Sequence, residues 1–292
     1  LANGSPEEQE VAVRLDLDVS QHQLEWDELA ARVRRAEELG FEGVWVFDHF
    51  QPLYGDPGGP CLEGWTLLAA LASVTSRVRL GTLVTGVTYR SPSLLAAEAV
   101  TVDHVSGGRL ELGVGAAWFE REHAELGFDF PPPAERVHRL DEALEVVRLL
   151  MTRDNVSFDG RFYRLRRATY NPKPVQRPHP PVWVGGSGRK LMLPLVARRA
   201  DVWHGYGSVA ELTRMSRAID ELAARAGRDP GSIRRTTSLS ISEPWDEVRA
   251  HAAMLADAGF SCLVVDWPTE GAERVEEFAG AVMPELAALH AG

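Results

Sequence analysis

Residues 78–92 read VRLGTLVTGVTYRSP, and the reading of this stretch governs the reading of the rest of the chain. Val78, Leu80, Thr82, Leu83 and Val84 are apolar or β-branched with Gly81 among them, the composition of a parallel strand buried on both faces. The run continues into Thr85-Gly86-Val87-Thr88. A glycine between residues that favour extended backbone predicts either a plain strand end with a turn, or a bulge that something approaches closely. The two readings part only when the neighbouring segments are added.

Working outward, the same alternation of short apolar runs and helical periodicity recurs on both sides. Upstream, residues 11–19 alternate apolar and charged side chains as a first strand, residues 24–39 carry a helical stripe that stops at Gly40, and residues 43–47 (GVWVF) form a second buried strand. A helix over 63–74 precedes the opening stretch. Downstream come a helix over 94–105, a strand over 109–114 and a long helix over 135–151 entered through Pro131-Pro132-Pro133. Residues 152–180, with Asp159-Gly160 and several prolines, interrupt the pattern as an insertion containing a hairpin. Strands over 181–184, 201–204, 233–241 and 262–265 then alternate with helices over 190–199, 209–226, 246–258 and 273–289.

Eight strands alternating with eight helices predict an α/β protein, a (β/α)8 TIM barrel with an insertion after the fourth helix. An internal echo supports it: AEELGFEGVWV at 36–46 and LADAGFSCLVV at 255–265 are both a helix end, a glycine and a buried strand. A doubly wound open sheet is the competing architecture, but no Gly-x-Gly-x-x-Gly follows the first strand. The expected organisation is one barrel domain over 11–292, with residues 1–10 a disordered polar extension.

Composition narrows the class. The 292 residues are 45% hydrophobic and 25% charged, and no apolar run approaches the roughly 18–20 residues of a membrane helix. A net charge of −11 disfavours nucleic acid and anionic membranes as partners. Cys61 and Cys262 are too few for a disulfide framework and lack zinc-type spacing, so no metal is expected. The expectation is a cytoplasmic protein.

Barrel chemistry gathers at the C-terminal strand ends. These read Asp48-His49, Thr85 to Thr88, Gly113 to Trp118, Gly185 to Arg189, His204 and Asp266-Trp267. Clustered metal ligands are absent from this set, and Asp48 with Asp266 is the one obvious carboxyl pair for glycoside chemistry. Glycines and aromatics suit a flat cofactor with a phosphate. Gly185 to Arg189 precedes a helix, so its N–H groups, Ser187 and Arg189 form either a phosphate cradle or an ordinary strand-to-helix turn.

The segments GFEGVWVFDHF (40–50), VRLGTLVTGVTYRSP (78–92), SGGRLELGVGAAWFEREHAELGFDFPP (106–132) and NPKPVQRPHPPVWVGGSG (171–188) together resemble the bacterial luciferase-like superfamily, and most closely its coenzyme F420 (deazaflavin)-dependent oxidoreductases. The resemblance implies a (β/α)8 barrel. It also implies a bulge after the third strand with a non-prolyl cis peptide, here expected at Gly86-Val87, behind the cofactor's central ring. Residue by residue, it implies that Asp48 and His49 lie beside the deazaflavin, that Thr85, Gly86, Val87 and Thr88 contact the ring, and that Gly115 and Ala116 border it. Gly186, Ser187, Gly188 and Arg189 would hold the phosphate, and Trp118 would either wall the substrate space or pack.

His49 is the candidate catalytic residue, because imidazole exchanges protons near neutral pH; the other reading is that it only shapes the pocket. The implied reaction is hydride transfer between deazaflavin C5 and a small organic substrate, in a homodimer. FMN is the alternative cofactor, with monooxygenase chemistry, and a non-catalytic deazaflavin- or flavin-binding protein is the alternative class. One departure stands out: the superfamily's sugar-phosphate dehydrogenases carry an acid directly after the fourth-strand Gly-x-Gly, where this chain has Ala116, with Glu120 and Glu122 out of register.

Overall fold

The computed structural model describes residues 11–291; the expected extension over 1–10 lies outside the described residues. Eight parallel strands close into a barrel: β1 (Arg14–Asp18), β2 (Gly43–Val46), β3 (Arg79–Thr82), β4 (Leu110–Gly115), β5 (Val182–Gly185), β6 (Val202–Gly205), β7 (Arg234–Leu239) and β8 (Cys262–Val265). Closure is direct. β8 pairs with β1 through Val264 and Asp16, and β3 meets β4 through Leu80 and Leu110. Because helices cover the outer face, β2, β5, β6 and β8 are buried throughout, which is why β2, β5 and β8 read as unbroken apolar runs, interrupted in β6 only by His204.

Three of the helices begin where a side chain takes up free N–H groups. Glu63 accepts from the N–H groups of Trp65 and Thr66, Ser91 from Leu94, and Ser208 forms a capping box with Glu211. Two departures from the predicted pattern have local causes. A seven-residue helix, Glu120–Leu126, follows β4, its run EREHAEL too short to show a period. The last predicted helix is two, Ala272–Ala281 and Met283–Ala287, because Pro284 cannot donate to the preceding turn. Between the helix Pro133–Thr152 and β5 stands an antiparallel hairpin, Val156–Asp159 with Arg164–Ala168.

The N-terminal end of the barrel is plugged by a polar cluster. Arg14 donates to both oxygens of Asp16 at 2.7 Å and to Glu111 at 2.6 Å, Trp45 Nε1 donates to Asp16 at 2.9 Å, and Trp183 Nε1 donates to Glu111. Buried charges of both signs are therefore paired and hydrogen-bonded. The sealed end leaves the opposite mouth as the place where a ligand can enter the barrel.

Candidate active site

At the C-terminal mouth lies a cleft of about 440 Å³. Its lining includes Phe47, His49, Tyr54, Leu83, Val84, Gly86, Gly115, Trp118, Gly185 and Tyr206. The end of β3 shapes it. The non-prolyl cis peptide is Leu83–Val84, not Gly86–Val87 as the resemblance led us to expect. Val84 turns into the mouth between bare backbones: a Cβ on Gly115 would stand 2.6 Å from Val84 Cγ2, and one on Gly185 3.1 Å from Cγ1. The glycines at the ends of β4 and β5 are the space that the Val84 side chain occupies.

The rest of the predicted bulge divides in two. Gly86 lines the cleft, whereas Thr85 and Val87 point outward, toward the helix Pro133–Thr152. Thr85 Oγ1 accepts from Trp65 Nε1 at 3.0 Å and shares a hydrogen bond with Thr82 at 2.7 Å, so its role is to join strand to helix. Thr88 bonds His123 Nε2 at 2.6 Å. Asp48 is likewise turned away from the cleft: buried, it is gripped by Arg90, which also reaches Glu63 at 3.2 Å and Glu98 at 3.1 Å. Strand alternation separates the neighbours, sending His49 to the mouth and Asp48 to the shell.

His49 is the candidate that the structure equips for chemistry. It is enclosed by the rings of Phe47, Tyr89, Trp118 and Phe119, and its Nδ1 lies 3.0 Å from Glu122 Oε2. Glu122 is fully buried. It accepts further hydrogen bonds from the Tyr89 hydroxyl and from the N–H groups of Phe50 at 2.7 Å and Gln51 at 2.9 Å. Burial works against its charge, but the bonds from His49, Tyr89 and Phe50 outweigh that and hold the carboxyl below its ordinary pKa. An ionised carboxylate only accepts, so Nδ1 carries a proton and Glu122 fixes the orientation of the ring.

Sequence reading missed Glu122 as a partner because it reaches His49 from the short helix rather than from a strand end. It also missed His22, buried and stacked on Phe47 at 4.7 Å, whose Nδ1 accepts from Leu53 N–H at 3.2 Å and steadies the loop at the cleft edge. Burial, with His49 nearby, lowers His22 to about 4, so it stays neutral.

At the rim, Gly186 lines the cleft while Gly188 and Arg189 are exposed beside it. Ser187 is committed elsewhere, its hydroxyl donating to the Tyr206 carbonyl and accepting from the Tyr206 N–H, both at 3.1 Å. Ala116 is held through its carbonyl by Arg136 Nε at 3.0 Å and borders the cleft with Trp118. Among the described residues no group of three or more His, Cys, Asp or Glu is arranged to hold a metal, and no helix is long and apolar enough to cross a membrane.

A parallel barrel with a histidine–carboxylate pair facing a bulge in its mouth is the frame of a barrel enzyme, and comparison gives it a family: the chain belongs to the luciferase-like monooxygenases, whose family model matches residues 11–280. It is 33% identical over 225 residues to an F420-dependent glucose-6-phosphate dehydrogenase of Amycolatopsis mediterranei, covering 74% of this chain and 65% of that one. It is 30% identical over 219 residues to an FMNH2-dependent dimethylsulfone monooxygenase of Pseudomonas putida, covering 75% of this chain and 59% of that one. In fold it matches an F420-dependent secondary alcohol dehydrogenase, solved with an F420–acetone adduct, with a TM-score of 0.81 over 93% of this chain and 98% of that one at 19% identity.

Proposed function

We propose that the chain is a coenzyme F420-dependent oxidoreductase that transfers a hydride between the deazaflavin and a small organic substrate. The observation that carries this reading is the pairing across one cleft of Val84, pressed between Gly115 and Gly185, with His49, whose Nδ1 is engaged by Glu122. The F420-dependent relatives support the choice of cofactor.

The residues fit such a group. Leu83, Val84, Gly86, Ala116 and Ala117 give the cleft a small-residue, apolar lining, and the exposed turn at Gly188 and Arg189 offers N–H groups and a cation to a phosphate tail. When bound, the deazaflavin supplies the carbon that gives or takes a hydride. The protein's own part is placement and proton handling. Glu122 fixes the His49 ring and its tautomer, so Nε2 is the atom available to take a proton from, or return one to, a substrate oxygen. Phe47, Trp118 and Phe119 exclude water around it. This arrangement puts an acid behind His49 even though Ala116 replaces the acid expected after Gly115.

The FMNH2-dependent relative favours a second reading, a flavin monooxygenase on the same scaffold. Anaerobic titration of the full chain with F420 and with FMN separates the two: we expect F420 to saturate at one equivalent, and FMN binding without F420 binding refutes the proposal. F420 binding with no hydride exchange to any carbonyl or alcohol in a substrate panel would support a non-catalytic binding protein instead.

A further inference from the structure

Among the described residues three Phe, Tyr or Trp side chains stand exposed: Tyr54 at 72%, Trp118 at 63% and Tyr206 at 50%. All three line the one cleft at the barrel mouth. Leaving a large ring in water forgoes the stabilisation its burial would give, so exposed aromatic surface gathered on a single concavity marks a place where a ligand lies.

The backbone at each ring is anchored. The Tyr54 carbonyl accepts from Gln23 Nε2 at 2.8 Å, and Tyr206 exchanges two hydrogen bonds with the Ser187 hydroxyl, both at 3.1 Å. Trp118 is the most constrained. The residue before it, Ala117, has φ +60°, a left-handed conformation that a side chain with a Cβ adopts at a cost and that persists where the surroundings impose it. The surroundings here are the buried Arg136, which donates to the Ala116 carbonyl at 3.0 Å and to the Pro131 carbonyl at 2.6 Å and lies 4.0 Å over the Phe130 ring. A ring fixed before the ligand arrives loses little freedom when the ligand binds.

Trp118 also stands next to the chemistry. Its indole meets the His49 imidazole edge to face, with centroids 6.0 Å apart and planes at 76°. Taking this cleft as the active site, and so resting on the function proposed for it, we propose that the substrate carries a flat aromatic ring. The ring lies on the Trp118 indole, with Tyr54 and Tyr206 at the rim, and the reacting oxygen is borne by the carbon attached to the ring, beside His49. The substrate class is then an aryl alcohol or the matching aryl aldehyde or ketone, and Trp118 is the residue that selects it.

The test compares benzyl alcohol with cyclohexylmethanol. The two differ in having a flat π-bearing ring or a puckered saturated one, and the saturated alcohol is the more apolar, so hydrophobic burial alone favours cyclohexylmethanol. Saturation-transfer NMR on the full chain, with and without F420, measures both, and cofactor binding is read separately from its own absorbance. Benzyl alcohol should bind at least about threefold more tightly. Trp118→Leu should abolish that preference, and Trp118→Phe, which restores an aromatic face, should keep it. Equal binding, a preference for cyclohexylmethanol, no saturable binding of either alcohol, or a preference that survives in Trp118→Leu or is lost in Trp118→Phe overturns the inference. A Trp118→Leu protein that loses F420 binding along with the preference places the indole against the cofactor and also overturns it. If Trp118→Leu does not fold, the wild-type ranking and Trp118→Phe decide. A flat-ring preference in a chain that binds no F420 refutes the cofactor reading and leaves this one standing; F420 binding without the preference does the reverse.

Discussion

Replacing Gly115 by alanine tests the packing on which the mouth depends. The new Cβ would sit 2.6 Å from Val84 Cγ2, against an ordinary carbon contact of about 3.5–4.0 Å, so Val84 must retreat by about 1 Å. It has little room to do so. A valine side chain turns only about χ1, and the opposite flank is occupied by Gly185, whose Cα carries no side chain because Val84 Cγ1 already stands there. Overpacking of this kind costs about 2 kcal/mol, which in a domain of this size lowers Tm by about 3 °C. Urea unfolding of the wild type, Gly115→Ala, Val84→Ala and the double variant closes a thermodynamic cycle. We expect a coupling of at least about 1 kcal/mol, because removing the Val84 methyls makes room for the new one. F420 affinity should fall at least tenfold in Gly115→Ala. Strictly additive effects, or a Gly115→Ala protein as stable as the wild type, would refute the argument that β4 and β5 end in glycine to house Val84.

Three further outcomes follow from other parts of the site. Glu122→Gln replaces an all-acceptor carboxylate with an amide whose NH2 must face either His49 and Tyr89, which share Oε2, or the N–H groups of Phe50 and Gln51, which share Oε1; 15N shifts of His49 should show Nδ1 losing its proton preference, stability should fall by about 2 kcal/mol, and turnover by about 10–100-fold. An unchanged tautomer would remove the positioning role. Asp48→Asn removes one of the three carboxylates around the buried Arg90, leaving Glu63 and Glu98, and should cost about 1.5–3 kcal/mol in denaturant, while F420 affinity in the folded protein stays within threefold, since Asp48 faces away from the cleft. Burial lowers His204 to about 3 against 6.5 for an unburied imidazole, so the unfolded chain takes up its proton first and stability is lost as pH falls below about 6.5, by up to about 1.4 kcal/mol per pH unit. His204→Asn should flatten that slope relative to the wild type; parallel curves would contradict a neutral, buried imidazole.

The barrel was legible because its repeating unit is local: a glycine after a helix, then a strand apolar on both faces, recurs from Gly40 to Val46 and again from Gly259 to Val265. The strand ends on which the site is built could be named for the same reason, with His49, Gly86, Gly115, Gly186 and Trp118 all at the cleft. Other features depend on contacts that no local pattern encodes. Asp48 and His49 are adjacent in sequence yet point to opposite sides of the barrel wall, and only Arg90, 42 residues away, reveals where Asp48 belongs. Glu122 pairs with His49 across 73 residues from a helix too short to predict. The cis peptide sits two residues before the glycine that seemed to mark it, because the glycines that matter to Val84 lie on the neighbouring strands.

The central claim is spatial: a planar cofactor lies in the mouth with Val84 behind it and His49 Nε2 in front. A crystal structure of the full chain grown with F420 measures this directly. The account predicts planar density against the Val84 side chain, with the phosphate at Gly188 and Arg189 and the His49 ring within hydrogen-bonding reach of the space above the plane. Density for the cofactor elsewhere on the molecule, or a ring in the mouth with Val84 turned away from it, would contradict the account.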